Sequence, residues 1–178
     1  MGMEVVANQR REEEPQMRLA TFCVVSLIVG LGCAATPHAW AQDMRSLLTL
    51  ATAKKMVDAC EQKAKAEGWK VIIAIVDDGG NLKSFSRMDE SFLLSVKIAQ
   101  LKAHTSAAVP FSSRKFGEVA KANPGVELVP GTATFPGGLP IITASGKHLG
   151  GIGVSGASSD EDEACAQVAL DAVKDVLK

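Results

Sequence analysis

His104 and Thr105 are adjacent polar residues in the second predicted long helix, and both have side chains suited to ligand binding. Consecutive residues of an α-helix point about 100° apart, so the two side chains face different directions. Thr105 shares a face with apolar residues, where its hydroxyl either bonds the carbonyl oxygen four residues earlier or orients a ligand in an apolar pocket. His104 offers an imidazole nitrogen that suits a metal ligand, and its alternative is a surface or interface histidine.

The glycine-rich run at residues 151–156 has the spacing G-x-G-x-x-G of a dinucleotide-binding loop. That loop requires a following helix, a second parallel strand and an acidic residue about 20 positions further on. Only one predicted helix follows here, so we interpret the glycines as part of a strand and turn with close packing. The surrounding residues of Ser155 do not form the G-x-S-x-G motif of hydrolases.

Two histidines follow residue 41, and neither occurs in the H-E-x-x-H pattern of zinc proteases. No carboxylate cluster with metal-site spacing accompanies them. We interpret His148 as a solvated loop residue, because it follows the turn formed by residues 145–147. A dedicated metalloenzyme is therefore not expected.

Apolar periodicity predicts where the helices and strands that position these residues lie. The predicted helices cover residues 50–67, 90–108, 112–121 and a last segment that begins at residues 160–163. The predicted strands cover residues 69–76 and 82–87, joined as a hairpin by the turn at 77–81, and then 133–135, 139–143 and 149–155. The second helix is predicted to bury the face formed by Leu94, Ile98, Leu101, Thr105 and Ala108.

The order of the elements is helix, hairpin, two helices, three strands and helix. Strands that come in runs, rather than alternating singly with helices, indicate an α+β protein with an antiparallel sheet. No linker interrupts the chain from Leu50 to its end, so we predict a single domain in this part.

The first 41 residues have the pattern of an N-terminal extension followed by a secretory signal peptide. Arg18 precedes the apolar run 19–35, and small residues at Ala39 and Ala41 predict cleavage before Gln42. An uncleaved membrane anchor is the alternative. We expect residues 42–178 to be a periplasmic or secreted protein without stable membrane insertion, whether the chain starts at Met1 or Met17.

Charge and cysteine content narrow the function classes further. Residues 42–178 carry 13 Lys and 3 Arg against 9 Asp and 7 Glu, with no basic stripe, so nucleic acid is not an expected partner. Cys60 and Cys165 remain in this segment. An oxidising compartment permits a disulfide between them, and two buried free thiols are an equally good interpretation.

Several ordered segments together resemble the GlcG/HbpS-like haem-binding family, which is related to the C-terminal domain of some cobalamin adenosyltransferases. Each motif alone is weak, but their order and spacing cover nearly all of residues 50–178. The matching segments are 76–82 with 87–89, the K-A-H-T run at 102–105, 137–141, 150–156 and 160–163.

This resemblance implies a five-stranded antiparallel sheet flanked by helices, a profilin-like layer, in a compact homo-oligomer. It also implies binding of haem, and less often of a corrinoid. The threonine of the K-A-x-T run is the family position associated with haem contact, and here it is Thr105. With Leu101, Lys102 and His104 it forms the predicted cofactor-binding set, in which His104 is a candidate ligand of the haem iron. No acidic pair matches the iron-binding glutamates of some members, so binding of free iron is not expected.

Our first hypothesis is an exported protein that binds haem or a related tetrapyrrole in an apolar pocket near the second helix, without catalysis. A role beside a sensor or operon partner protein is expected by analogy alone. A second hypothesis is a small isomerase or tautomerase acting on an organic acid, with His104 or Asp77 as acid/base. A third is a structural oligomer that assists an operon partner. Fold alone does not separate the three, because function depends on the site.

Overall fold

The computed structural model describes residues 46–178, which belong to one compact unit. The predicted signal peptide and its cleavage site lie outside the described residues. The elements are α1 (Leu50–Glu67), β1 (Ile72–Asp77), β2 (Leu82–Arg87), α2 (Leu93–Ala108), α3 (Ser113–Ala122), a 3-10 helix (Pro124–Leu128), β3 (Gly138–Ile142), β4 (His148–Ser155) and α4 (Ser159–Ala172). None of the helices within residues 46–178 has the length and apolar character needed to cross a membrane.

Side-chain caps and glycine set the helix boundaries. The Thr49 hydroxyl accepts a hydrogen bond from the N–H of Thr52 at the start of α1, and Gly68 ends that helix with a left-handed φ of 75°. Ser112 caps α3 in the same way. Ser158 and Glu161 form a reciprocal capping box at the start of α4.

The described strands form one antiparallel sheet in the order β2-β1-β4-β3. The α+β prediction is confirmed, but the sheet has four strands in the described part of the chain rather than five. Residues 133–135, predicted as a strand, lie in a loop before β3. Side chains of the neighbouring helices take its backbone groups: the N–H of Ala133 bonds the Thr105 hydroxyl, and the Ser113 hydroxyl bonds the carbonyl oxygen of Phe135. These groups are therefore not free for a strand ladder.

The sheet separates two apolar clusters. On one face, α1 and α4 pack over β1, β3 and β4 and enclose the larger core, with Met56, Ile73, Ile152 and Cys165 fully buried. On the other face α2 covers a smaller cluster. Its strand residues are Ile72, Ala74 and Val76 of β1, and its helix residues are Ala99, Ala103 and Ala107.

Helix α2 lies against β4 at backbone contact distance, and this packing corrects the predicted orientation of the helix. A Cβ on Gly153 would overlap the carbonyl oxygen of Ala99, and one on Gly151 would lie 2.7 Å from the Ala107 nitrogen. Apart from Lys102, the buried side of the helix consequently carries small residues, and Leu94, predicted to be buried, is 71% exposed. The glycines of the G-x-G-x-x-G run thus serve helix–strand packing, as predicted from their context.

A disulfide joins Cys60 of α1 to Cys165 of α4. Both residues are fully buried in the larger core, and 105 positions separate them in the chain. Of the two interpretations of these cysteines, a disulfide or two buried free thiols, the structure contains the disulfide. It links the two helices that cover the same face of the sheet.

We predict that Gly153→Ala lowers the free energy of unfolding by about 2 kcal/mol or more, because the added methyl group forces α2 away from β4. Urea unfolding followed by circular dichroism measures the change. Gly125→Ala is the matched control, since its Cβ would have no neighbour within 4 Å. We expect that control to stay within about 0.5 kcal/mol of wild type. Equal effects of the two substitutions would contradict the packing described.

We predict that the double variant Cys60→Ala/Cys165→Ala is about 2–5 kcal/mol less stable than the oxidised wild type, because the bridge restricts the unfolded chain. With a reducing agent present, wild type and variant should differ much less. Mass spectrometry of a non-reducing digest should find the two cysteines in one linked peptide. Recovery of both as separate thiol peptides would contradict the bridge.

Candidate ligand-binding site

A surface cavity lies beside α2, next to the turn that joins β1 to β2. Its volume is about 180 Å³, whereas pockets that enclose a drug-sized ligand measure roughly 300–1,000 Å³. One side of α2, two strand residues and two glycines form its wall. The lining residues are Val76, Gly80, Leu82, Lys97, Gln100, Leu101, His104 and Gly131. In a single chain the cavity therefore accepts part of a large flat ligand without enclosing it.

His104 is exposed at this cavity, with a glycine near its imidazole ring on two sides. Gly80 has a φ of 76°, and a Cβ there would lie 3.1 Å from His104 Cδ2 and 3.3 Å from Nε2. Gly131 has a φ of 85°, and its Cβ would lie 3.9 Å from Cε1 and from Nδ1. No hydrogen bond from residues 46–178 engages either ring nitrogen. The ring nitrogens are therefore available to a ligand.

Two other polar side chains line the cavity. The Gln100 amide donates to the carbonyl oxygen of Val96 at 3.0 Å, so part of its polar capacity is used within the helix. Lys97 is exposed, and within residues 46–178 no carboxylate lies at ion-pair distance from its ammonium group. Lys97 is thus a cation in the cavity wall that the described residues do not neutralise.

Thr105 is placed differently from His104. It is 1% exposed, and its hydroxyl donates to the carbonyl oxygen of Leu101 at 2.8 Å and accepts from the N–H of Ala133 at 2.7 Å. The hydroxyl thereby fastens the loop that carries Gly131 to α2. Direct contact of Thr105 with haem stays a prediction, and it requires the bond to Ala133 to open.

Lys102 is 1% exposed and is absent from the cavity wall. Its ammonium group lies 2.7 Å from the Asp162 carboxylate, 2.8 Å from the carbonyl oxygen of Val154 and 5.1 Å from the ring centre of Phe135. Burial lowers the pKa of Lys102 and raises the pKa of Asp162, and the attraction between the two charges offsets part of each change. The pair fixes α2 to the start of α4, and a role for Lys102 in cofactor contact stays a prediction.

The outward side of α2 is more apolar than the sequence pattern predicted. Leu101 lines the cavity. Leu93 and Leu94, in the first turn of the same helix, are 77% and 71% exposed. Phe92 and Leu82 are exposed as well. The predicted set is therefore divided: Leu101 and His104 face the cavity, whereas Lys102 and Thr105 point into the protein.

Two other residues singled out in the sequence have structural partners. The Asp77 carboxylate accepts hydrogen bonds from the N–H groups of Gly79 and Asn81 at 2.9 Å each, as expected of a turn residue. His148 begins β4, is half-buried and lies with Nε2 2.9 Å from the carbonyl oxygen of Ser106. The prediction of a solvated loop histidine was wrong, because this bond holds the ring against α2.

Sequence reasoning missed Lys97, Gly80 and Gly131 as members of the site. Lys97 could have been found from His104, because residues seven apart lie two turns apart on the same side of a helix. The glycines had no such signal, since only the folded chain brings the hairpin turn and the loop before β3 to the same imidazole. Within residues 46–178 no group of three or more His, Cys, Asp or Glu side chains is placed to hold a metal ion.

Comparisons with known proteins agree on one family. The model of the HbpS-like family, described as haem degrading protein HbpS-like, matches residues 48–171. Protein GlcG of Escherichia coli is 31% identical over 110 residues, which are 61% of this chain and 81% of GlcG. A crystal structure of a Streptomyces reticuli HbpS variant is 33% identical with a TM-score of 0.68, over 71% of this chain and 87% of that chain. A crystal structure of a PduOC–haem complex is 26% identical with a TM-score of 0.66, over 71% of this chain and 95% of that chain.

The hydrogen bonds at Asp77 predict a pH-dependent contribution to stability. The backbone N–H of Asn81, the largest cause, lowers the pKa of Asp77 below its ordinary 3.8. A carboxyl group whose pKa is lower in the folded than in the unfolded state stabilises the fold above its unfolded pKa, and this contribution is lost as the pH falls through the folded value. We expect Asp77→Ala to cost about 1 kcal/mol at pH 7.

The difference between wild type and Asp77→Ala should shrink when unfolding is repeated below pH 3.8, the ordinary value for this carboxyl group. Asp89→Ala is the control, because Asp89 is exposed and its carboxylate accepts no hydrogen bond within residues 46–178. A cost for Asp77→Ala that stays constant from pH 7 to the acid range would contradict the assignment.

Proposed function

The chain belongs to the HbpS-like family, as its ordered motifs indicated, and from this premise we propose that it is an exported protein that binds haem or a related tetrapyrrole without catalysis. The observation that carries the proposal is the exposed imidazole of His104, whose two nitrogens are unengaged within the described chain beside an apolar cavity. The PduOC–haem complex among the similar structures supports haem as the ligand.

The residues of the cavity fit a haem group. The backbone at Gly80 and Gly131 leaves the space beside the His104 ring that a Cβ would occupy, so a flat ring can approach the imidazole. Val76, Leu82 and Leu101 provide apolar contact area, which supplies most of the affinity for such a ligand. When bound, haem would supply an iron centre whose properties depend on its protein ligands.

Within this arrangement His104 would hold the iron, and Thr105 positions the loop that carries Gly131. Thr105 acts through its bond to the Ala133 N–H, so its removal should loosen the cavity wall without removing an iron ligand. A corrinoid is the less favoured ligand.

Self-association is part of the proposal. The cavity of one chain is too small to enclose a macrocycle, and the side chains of Phe92, Leu93 and Leu94 are exposed on the same helix. Contiguous exposed apolar side chains on a soluble protein mark interaction surfaces. A second copy of the chain over this helix would cover them and close the cavity, in keeping with the predicted homo-oligomer.

The disulfide supports export. Disulfides form and persist in oxidising compartments and are rare in the cytosol. The bridge between Cys60 and Cys165 is thus in keeping with a periplasmic or secreted protein, as the signal-peptide pattern of residues 1–41 predicts.

The absence of catalysis is proposed because no carboxylate lines the cavity, and the two basic side chains in its wall, His104 and Lys97, lie two helical turns apart. Asp77, the other candidate of the isomerase hypothesis, is held in its turn, and its lowered pKa makes it a weaker base. Haem degradation is the competing function, because the description of the matching family contains those words.

The deciding experiment is a titration of the protein with haemin, followed by the Soret band. We expect saturable binding, and we expect His104→Ala to weaken it at least tenfold with a changed band position, since an iron ligand is lost. His148→Gln is the matched control histidine and should bind like wild type. Thr105→Ala should weaken binding less than His104→Ala and leave the band position unchanged.

A wild-type protein that gives no Soret shift would refute haem binding and favour the isomerase and structural hypotheses. A Soret band that appears and then decays over repeated turnovers when a reductant and oxygen are added would refute the absence of catalysis and favour haem degradation.

A further inference from the structure

The cavity wall carries a different polar side chain at each of its two ends. His104 and Lys97 lie seven residues apart on the same side of α2, a separation of about 10 Å along the helix axis. Leu101 and Gln100 lie between them, and the Gln100 amide donates to its own helix. A ligand that lies along this wall therefore meets an imidazole at one end, the Leu101 side chain and the Gln100 amide in the middle, and an ammonium group at the other end.

The Lys97 end of the wall is electropositive. Lys97 lies in the cavity wall with its side chain exposed, and within the described chain no carboxylate forms an ion pair with its ammonium group. None of the lining residues is Asp or Glu. The described residues of the cavity therefore leave the charge of this lysine without a counter-charge.

We propose that Lys97 is a specificity-determining residue that binds a carboxylate of the ligand, so that the site selects tetrapyrroles with free acid side chains over neutral ones. The inference rests on the proposed function and deepens it. His104 would face the ring and Lys97 would bind an acid group at its edge. The ligand would thereby have one preferred orientation along α2, because exchanging its ends would move the acid group away from the ammonium group.

The test uses protoporphyrin IX and its dimethyl ester, which have the same ring but differ in charge. Neither contains iron, so coordination by His104 contributes nothing to the comparison. Fluorescence titrations of the full chain under identical solvent conditions give both affinities. We expect wild type to bind the free acid about three- to tenfold more tightly than the ester, the range of a partly solvated ion pair.

Substitutions assign this preference to one residue. Lys97→Gln should remove the preference by weakening the free acid alone, and Lys97→Arg should keep it. Lys54→Gln is the matched control, because Lys54 is an exposed helical lysine on α1, which covers the opposite face of the sheet. Raising the salt concentration should weaken wild-type binding of the free acid and leave Lys97→Gln nearly unchanged.

The outcomes separate this inference from the proposed function. Equal affinities of wild type for the free acid and the ester would refute the role of Lys97 and leave tetrapyrrole binding intact. A preference that survives in Lys97→Gln would likewise refute it. Binding of neither porphyrin, together with no Soret shift in the haemin titration, would refute the proposed function and this inference with it.

Discussion

The contact between α2 and β4 is the constraint on which the rest of the structure depends. Gly151 and Gly153 have no side chains, so the helix backbone comes into contact with the strand, and small residues such as Ala99, Ala103 and Ala107 face it. The larger apolar residues of the helix must then face away from the sheet. This contact therefore produces both the small second core and the outward face that carries Leu101 and His104.

Two polar side chains of α2 fix neighbouring segments that the contact with β4 does not hold. Lys102 is long enough to reach from the helix to Asp162, and Thr105 reaches the N–H of Ala133. Removing one member of a buried ion pair is costly because it leaves an unpaired charge, so the pair fixes the position of α2 relative to α4. The loop that supplies Gly131 is held by Thr105 in the same region. The residues of the K-A-H-T run therefore have different roles. Lys102 and Thr105 fix α4 and the loop before β3 to α2, and His104 faces the cavity.

Much of the fold followed from local chemistry. The bounds of α1 and the turn at residues 77–81 were predicted correctly because each depends on neighbouring residues only: Thr49 caps the helix, Gly68 ends it and Asp77 accepts the N–H groups of the turn. The strand predicted at residues 133–135 was wrong because its backbone partners come from α2 and α3, which are distant in sequence. The predicted buried face of α2 was right at Thr105 but wrong at Leu94 and Ala108, which are exposed, because periodicity reports where apolar residues recur and not which face meets a glycine-rich strand.

The sequence by itself determined the family, the α+β class and the presence of a histidine suited to binding iron, because these depend on residue types and their order. Only the tertiary structure decided which residues of α2 face the cavity and that Cys60 and Cys165 are joined. It also placed Gly80 and Gly131 beside His104 and left Lys97 without a carboxylate partner in the described chain. The physical reason is that these properties depend on how closely two backbones approach, which is set by residues far apart in the chain.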